Sequence, residues 1–488
     1  MALIPDILLE ARIAARAFAD YVGGGSLRLG VTGLSRAGKT IFITALVDAL
    51  TRVSEASRAG ARNHLPVFRV HAEGRLVHGA LDPQPDDNVP RFAYEDHLAA
   101  LRAGPDRHWP QSTRRISQLR LTLEFESETG WRKGARHLSL DIVDYPGEWL
   151  LDLPLLDKSY AQWSAEMLDA ASGAARASLS AEWRGFLTGI DPAKAADENI
   201  ARQAAEIFTS YLRACRDEKY ALSTLPPGRF LMPGDLEGSP ALTFAPLPLA
   251  QTISSGSLAA MMERRFEAYK RYIVQPFFRD HFARIDRQIV LVDALAAINS
   301  GPAALRDLEL ALGDVLQAFR AGQNNLLASI FRPRADKILF AATKADHLHH
   351  ASHDRLEAIL RQLTMRAIHR AEGVGAKIDV IALAALRATR EAQMIHEGEK
   401  LDAIIGTPLA GETIGGERFD GTQEAAVFPG ELPDDPRALF RGDFLAQDDL
   451  QAQMRFLRFR PPLLDAQALM PHSRLDRALQ FLIGDRLA

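Results

Sequence analysis

The residues best suited to chemistry form an octet at positions 33–40, which reads Gly-Leu-Ser-Arg-Ala-Gly-Lys-Thr. The octet follows an apolar, strand-like run and opens a helix-like one, and its glycines let backbone N–H groups turn toward phosphate oxygens. Lys39 would reach the β- and γ-phosphates of a nucleotide, and the Thr40 hydroxyl would bind Mg²⁺. The octet therefore predicts a Walker A phosphate loop. Its nucleotide-binding residues would be Gly33, Ser35, Ala37, Gly38, Lys39, Thr40 and Ile41.

The tetrapeptide Thr343-Lys344-Ala345-Asp346 follows another apolar run and matches the guanine-recognition motif of GTPases. Guanine presents two N–H donors side by side, and one carboxylate accepts both, so Asp346 would select guanine. Adenine lacks that donor pair and would leave the buried carboxylate without partners. Thr343 belongs to the same binding loop, and the alkyl stem of Lys344 would lie along the base. The alternative is a solvated loop that follows a strand.

A third motif, Asp144-Tyr145-Pro146-Gly147, ends a strand-like run and fits the pattern Asp-x-x-Gly. Asp144 would hold Mg²⁺ through a water molecule. The backbone N–H of Gly147 would meet the γ-phosphate and so sense its loss. The three motifs occur in the order that a GTPase requires. Together they predict GTP and GDP as substrate and product, with Mg²⁺ as the cofactor.

Two further contacts follow from the GTPase pattern. The sequence Ala384-Ala385-Leu386 stands where a fifth motif touches the base through a backbone N–H, with Ala in place of the usual Ser. We therefore expect Ala385 and Leu386 at the base. The first-switch threonine that completes the Mg²⁺ shell must lie between residues 55 and 118, and we predict Thr113, with Ser112 as the second choice.

Two positions depart from common GTPases and bear on catalysis. Many GTPases place Gln directly after Asp-x-x-Gly to orient the attacking water, whereas this chain has Glu148. A carboxylate accepts a proton from water but also repels the γ-phosphate, which predicts slow hydrolysis. Arg36 stands where cation-dependent GTPases hold K⁺, so its guanidinium would act as an arginine finger in cis. The alternative is an Arg36 that points to solvent or pairs with a nearby carboxylate.

Apolar periodicity indicates the elements that would position these motifs. Short, almost wholly apolar runs at 288–293, 337–342 and 378–383 alternate with helical patterns, which is typical of βαβ units. Residues 119–125 and 137–143 are predicted to form a β-hairpin. The fold class is therefore α/β, with a mostly parallel sheet and helices on both faces.

The predicted domain organisation follows from the distances between motifs. Gly147 and Thr343 are separated by far more than the about 50 to 60 residues that a helix, a strand and a helix need. We interpret the excess of about 130 residues as a large helical insertion in the second switch, either a moving lid or effector arm or a rigid decoration. The predicted parts are an N-terminal amphipathic helix (1–23), a first core part (24–147) with an irregular switch-I insert at about 55–116, the insertion (148–287), a second core part (288–396) and a small C-terminal α+β subdomain (397–488).

Composition excludes several classes of protein. The 488 residues carry a net charge of −4, so no basic field predicts nucleic-acid binding. No apolar run reaches the roughly 18 to 20 residues that a transmembrane segment needs. Charged residues interrupt the N-terminal apolar run, which argues against a signal peptide. The single cysteine, Cys215, excludes an internal disulfide, fits a reducing compartment and is interpreted as a buried apolar residue.

The three motifs, the strand at 288–293, the Leu-Arg-Ala-Thr tail at 386–389 and the segment Pro-Gly-Arg-Phe-Leu-Met-Pro-Gly at 227–234 resemble the YcjX family of bacterial stress-associated P-loop GTPases. The resemblance spans nearly the whole chain. It implies a Ras-like core, GTP and GDP binding, slow hydrolysis, and a cytoplasmic protein linked to envelope or phage-shock stress. The effector stays unknown, and a membrane stress protein, with peripheral placement at the inner membrane, is one option.

Two other functions remain open at this point. The chain could be a binding module that holds GTP with negligible turnover and docks partners, an alternative to which Glu148 points. It could also be a dynamin-like membrane-associated GTPase, although no basic amphipathic segment supports that reading.

Two side-chain clusters also allow more than one interpretation. A histidine cluster after the guanine motif is either a metal site or a solvated loop and helix start. It consists of His347, His349, His350 and His353. Arginines alternate with phenylalanines near residue 458, which predicts a strand with one charged face. They are Arg455, Phe456, Arg458, Phe459 and Arg460.

Overall fold

The computed structural model of the protein describes most of the chain. The described residues are 25–34, 36–53, 64–84, 86–111, 115–128, 134–217, 219–249, 253–318, 335–372, 376–396, 399–414, 416–441, 456–465 and 467–488. The predicted N-terminal helix, Ser35 and Thr113 lie outside these ranges.

A seven-stranded sheet in the order β2-β3-β4-β1-β5-β6-β7 forms the centre of the fold. Its strands are β1 Ser26–Gly33, β2 Leu76–Asp82, β3 Ser117–Ser127, β4 Gly134–Asp144, β5 Arg287–Val292, β6 Lys337–Ala342 and β7 Lys377–Ala382. The β1–β4, β1–β5, β5–β6 and β6–β7 pairs are parallel, whereas β3 pairs antiparallel with β4 and β2 with β3. The predictions of a mostly parallel α/β sheet and of the β3–β4 hairpin are therefore confirmed.

Helices lie between and after these strands. They are α1 Lys39–Thr51, α2 Arg69–Ala72, α3 Tyr94–Leu101, α4 Tyr160–Ser172, α5 Ala181–Thr188, α6 Glu198–Arg216, α7 Gly228–Leu231, α8 Leu258–Tyr269, α9 Gln275–Asp280, α10 Ala294–Asn299, α11 Pro302–Ala318, α12 His353–Glu372, α13 Ala438–Arg441 and α14 Leu475–Ile483. A 3₁₀ helix, Gly147–Asp157, follows β4, and a π-helix, Lys270–Val274, links α8 to α9.

The central sheet buries both of its faces, and alternate residues of β5 show how. Ile289 and Leu291 join an apolar core with residues of α1 and α14. Val290 and Val292 join the opposite core, which contains residues of α11 and α12. Every residue of β5 is buried. An almost wholly apolar strand is therefore what this position demands.

The residues between β4 and β5 form the 3₁₀ helix, the π-helix and α4–α9. Residues 148–286 are here called the helical segment. Aromatic side chains form much of its interior, and the rings of Trp163 and Phe266 stack with centroids 5.0 Å apart. Ser159 begins α4 with a capping box, and Asp197 caps α6 through two backbone N–H groups. The prediction that this segment is a separate insertion in the second switch is not tested by these contacts and stays a prediction.

A second, three-stranded sheet in the order β12-β9-β8 lies after β7. Its strands are β8 Arg390–His396, β9 Glu399–Gly406 and β12 Ala425–Val427. The short strands β10 Thr413–Ile414 and β11 Glu417–Arg418 form a separate pair. The pairing of β8 with β9 spans the boundary predicted between residues 396 and 397, and the division into a C-terminal subdomain stays a prediction.

Two sequence predictions about local structure were wrong. The stretch at about 55–116, predicted to be irregular, contributes β2 to the central sheet. Its pattern was hidden because Gly79 interrupts the apolar alternation, and Gly79 lies so close to the Leu50 carbonyl that a Cβ would overlap it. In the described part of the predicted strand around residue 458, which begins at Phe456, one bridge forms, between Pro408 and Phe459. Among the described helices, none is both long enough and apolar enough to cross a bilayer.

Candidate functional site

The phosphate-loop octet joins β1 to α1 at the carboxyl edge of the sheet. β1 ends at Gly33 and α1 begins at Lys39, after Gly38 with a φ of 78°. A Cβ on Gly33 would lie 2.9 Å from the Leu291 carbonyl oxygen, so only glycine fits there. Arg36 also has a positive φ, 59°, which is uncommon for a residue with a side chain. The described residues Arg36 and Gly38 thus have the left-handed backbone conformation that contributes to anion-binding nests.

The Asp-x-x-Gly motif lies against this loop. The Asp144 side chain is buried, and its Oδ1 is 3.8 Å from the Lys39 Nζ. Gly147 packs on the Gly33 carbonyl so closely that any Cβ would overlap it. Gly147 thus meets the beginning of the phosphate loop, and Asp144 meets its end. Asp144 and Thr40 both carry oxygen atoms, the type of ligand that Mg²⁺ takes in proteins.

A cavity of about 350 Å³ brings together the phosphate loop, the guanine motif and the Ala385-Leu386 pair, whereas Asp144 and Gly147 lie outside its lining. Its lining includes Gly33, Arg36, Ala37, Gly38, Lys39, Thr40, Ile41, Glu148, Thr343, Lys344, Asp346, Ala385 and Leu386. Phosphate-loop and guanine-motif residues thus face the same space, from two strand ends at one sheet edge. Ligands bind at this edge in open α/β sheets.

The guanine motif is held in place by neighbouring loops. The buried Asp346 accepts a hydrogen bond at Oδ2 from the Ala388 backbone N–H, with an N–O distance of 2.7 Å. The Thr389 hydroxyl donates to the Asp346 carbonyl. Lys344 has a φ of 60° and forms an ion pair with Asp293. Because each carboxylate oxygen accepts more than one hydrogen bond, Asp346 retains capacity for a base.

Three guanidinium groups line the cavity near the phosphate loop, those of Arg36, Arg216 and Arg458. Arg216 comes from the last residue of α6, and its Nη2 lies 2.6 Å from the Glu148 Oε1. Arg458 pairs with Glu412. Burial, followed by the charges of Arg216 and Arg458, lowers the pKa of Arg36. Arg216 and Arg458 are thus each paired with a carboxylate, and both still act on the charge of Arg36.

The segment that follows Pro226 packs onto the 3₁₀ helix that carries Glu148. The Gly228 N–H donates to the Asp152 Oδ1 at 2.7 Å, and a Cβ on Gly228 would overlap the Glu148 carbonyl. The Trp149 indole N–H donates to the Met232 carbonyl, and the Arg229 guanidinium lies over the Trp149 ring. These contacts connect the Pro-Gly-Arg-Phe-Leu-Met-Pro-Gly segment to the position after Asp-x-x-Gly.

Sequence reasoning missed several residues of the cavity. Trp109 lines it and donates its indole N–H to the Phe459 carbonyl at 2.7 Å. The Phe459 ring contacts the His347 ring with centroids 5.2 Å apart. Arg216 and Arg458 come from segments far from any motif. Of these residues, Trp109 could have been suspected from the sequence, because it lies four residues before the predicted first-switch threonine, Thr113.

The four histidines after the guanine motif divide into two pairs. His347 and His353 are buried, burial lowers the pKa of both, and the His353 Nε2 lies 2.8 Å from the Ala345 carbonyl. His349 and His350 face the second sheet, where the His350 Nδ1 lies 2.9 Å from the Glu391 Oε2. Two of the four therefore stabilise the guanine-motif loop from within.

Comparison with known proteins bears on all of these features. The model of the YcjX-like family (DUF463) matches residues 27–487. The chain belongs to the YcjX-like family. It is 42% identical over 472 residues to the "Ras-like GTPase YcjX" of Escherichia coli (strain K12), covering 94% of this chain and 96% of that protein. It is 34% identical over 479 residues to the protein of the same name from Shewanella oneidensis (strain MR-1), covering 94% of each.

Family membership confirms the resemblance drawn from the phosphate loop, the Asp-x-x-Gly motif and the guanine motif. The match begins within β1 and ends near the last residue, so it includes the helical segment and the second sheet as well as the central sheet. The family model therefore covers these parts of the chain as well as the motifs.

Proposed function

We propose that this protein binds GTP and hydrolyses it to GDP and phosphate with Mg²⁺, as a slow molecular switch. The observation that carries the proposal is a cavity lined by both the phosphate loop, through Gly38, Lys39 and Thr40, and the guanine motif, through Thr343 and Asp346. The names of the two relatives, both Ras-like GTPases, support it. A nucleotide spanning this cavity would place its base at Asp346 and its phosphates at Lys39.

Binding would use this chain's own groups in a defined order along the nucleotide. The backbone N–H groups of the phosphate loop and the positive end of α1 would hold the phosphates, as Lys39 would by its charge. Thr40 and Asp144 would hold Mg²⁺, with Thr113 as the proposed first-switch ligand. That ion would supply charge stabilisation at the phosphates. Asp346, with backbone groups of Ala385 and Leu386, would hold guanine.

Hydrolysis would be the attack of water on the γ-phosphorus. A new P–O bond forms, the bond to the β–γ bridging oxygen breaks, and GDP leaves with that electron pair. The water proton passes to a phosphate oxygen or to the Glu148 carboxylate. Lys39 and the Gly147 N–H would stabilise charge on the γ-phosphate oxygens, and Arg36 would add the charge of an arginine finger in cis.

A second candidate function, a module that holds GTP without hydrolysing it, is favoured by one contact. The Glu148 carboxylate is paired with Arg216 at 2.6 Å and buried, so it is engaged rather than presented to a water. We keep this candidate beside slow hydrolysis. The parts proposed above, including an insertion at 148–287 and a subdomain at 397–488, would serve either function as effector-binding surfaces. The stress-linked effector and a cytoplasmic or peripheral inner-membrane placement rest on the family resemblance alone.

Nucleotide displacement tests the binding half of the proposal. Full-length protein is loaded with a fluorescent GDP analogue in Mg²⁺, and GTP, GDP, ATP and GMP are added as competitors. We expect GTP and GDP to displace the analogue at far lower concentrations than ATP, because adenine cannot pair with Asp346. Equal displacement by ATP would contradict the assignment of Asp346 to guanine.

A further inference from the structure

The ion pair between Glu148 and Arg216 joins the two parts of the molecule that meet at the phosphate end of the cavity. Glu148 immediately follows Gly147, which packs on the Gly33 carbonyl. Arg216 ends α6, in the last turn where the helix dipole favours a cation. Both side chains line the cavity with Lys39 and Gly38. The pair therefore lies where a third phosphate would enter.

A carboxylate at this position is a problem for GTP binding unless it is neutralised. The Glu148 side chain is only 7% exposed, so water screens its charge poorly. A γ-phosphate nearby would repel it, and a buried charge without a partner is strongly unfavourable. GDP ends one phosphate earlier and would experience less of this repulsion. An unpaired Glu148 would therefore lower the affinity for GTP more than the affinity for GDP.

We propose that Arg216 determines the preference of the site for GTP over GDP by neutralising Glu148. This inference rests on the proposed GTP-binding function and concerns the same cavity. Arg216 is a positioning residue in this account, because it acts on the nucleotide through the Glu148 carboxylate. Its backbone belongs to α6, which packs through Cys215, Phe208 and Leu212 into the helical-segment core. Exchange of GTP for GDP would thus act on α6 through the Arg216 side chain.

A double-mutant cycle on full-length protein tests this. Dissociation constants for GDP and for the β,γ-imido analogue of GTP are measured by calorimetry in Mg²⁺ for the parent, Arg216→Ala, Glu148→Gln and the double variant. We expect Arg216→Ala to weaken the GTP analogue relative to GDP by at least about ten-fold, because it leaves the buried Glu148 carboxylate without its ion-pair partner. Glu148→Gln should shift the ratio toward the GTP analogue, and the double variant should return close to the parent.

The controls separate this proposal from its alternatives. Arg213→Ala, an exposed residue of the same helical turn, should leave both constants unchanged. Arg216→Gln keeps length and polarity without charge and is measured in case the alanine variant folds poorly, with melting curves for every variant. Equal weakening of both nucleotides by Arg216→Ala, or no rescue in the double variant, would overturn the proposal. A parent protein that binds neither nucleotide would instead refute the proposed function.

Discussion

The Nζ atom of Lys39 lies 3.8 Å from the Oδ1 atom of Asp144, which links the phosphate loop to the end of β4. The two charges neutralise each other in a buried position. Binding of a nucleotide with Mg²⁺ would give each of them a new partner, phosphate for Lys39 and the metal ion for Asp144. The contact therefore holds both side chains near their proposed working positions.

Replacement of Lys39 should weaken nucleotide binding. Lys39→Ala removes a charged donor to the phosphates and leaves Asp144 without this partner, so we expect the affinity for GTP and GDP to fall about 10- to 100-fold. Fluorescent-nucleotide titration measures this. Lys194→Ala, at an exposed position of the helical segment, serves as the matched control and should bind as the parent does. Unchanged affinity in Lys39→Ala would remove the octet from the site.

Two glycines should respond in opposite directions to the same substitution. Gly147→Ala places a methyl group onto the Gly33 carbonyl, so we expect loss of nucleotide-dependent turnover and a lower melting temperature. Gly185→Ala, within α5, has open space around its Cβ and should stabilise the protein by up to about 1 kcal/mol. Melting curves and phosphate release for both variants check this. Equal behaviour of the two variants would contradict the packing described at Gly147.

Arg36 can be tested with a replacement that accepts its positive φ. Its φ of 59° suits glycine, so Arg36→Gly removes the guanidinium while relaxing the loop. If Arg36 is an arginine finger, turnover of GTP should fall at least about ten-fold in both Arg36→Gly and Arg36→Ala, with nucleotide affinity nearly retained. Single-turnover phosphate release measures the chemical step. Parent-like rates in both variants would leave Arg36 with a structural role only.

Asp152 should make stability depend on pH. It is buried, it accepts hydrogen bonds from the Tyr269 hydroxyl and the Gly228 N–H, and burial raises its pKa to about 6. A folded-state pKa above the unfolded value means that its stabilising contribution is complete below about pH 4 and is lost as the pH rises through 6. The loss would be about 3 kcal/mol.

The isosteric Asp152→Asn variant isolates this effect. We expect urea midpoints of the variant to rise relative to the parent between pH 4.5 and 7, because the amide cannot ionise. The two pH profiles should converge at the acid end. Parallel profiles across the whole range would contradict a raised pKa at Asp152.

Features that depend on neighbouring residues could be predicted from the sequence, whereas contacts between distant segments could not. The strands β5 and β6 were recognisable because a strand covered on both faces is mostly apolar. The apolar run at 378–383 marked β7, whose last three residues are buried. The motif loops follow strand ends, which places them at one edge once the sheet is parallel. The family was recognisable from the same motifs.

The remaining features depend on tertiary packing. Arg216 looks in the sequence like any cation at the end of a helix, and only the packing of α6 brings it to Glu148. Phe459 alternates with arginines like a strand residue, yet its carbonyl is paired with Trp109 and its ring with His347. Contacts between segments far apart in the chain leave no local pattern.

The measurement that tests the central claim most directly is phosphate release from GTP and ATP with Mg²⁺ by the full-length protein and by Asp346→Asn. We predict slow release from GTP, none from ATP, and reduced release from GTP by the variant. Xanthosine triphosphate has a carbonyl where guanine has its amino group, so the variant's amide N–H should improve its use. Equal release from GTP and ATP, or a variant with unchanged GTP turnover, would contradict guanine recognition by Asp346.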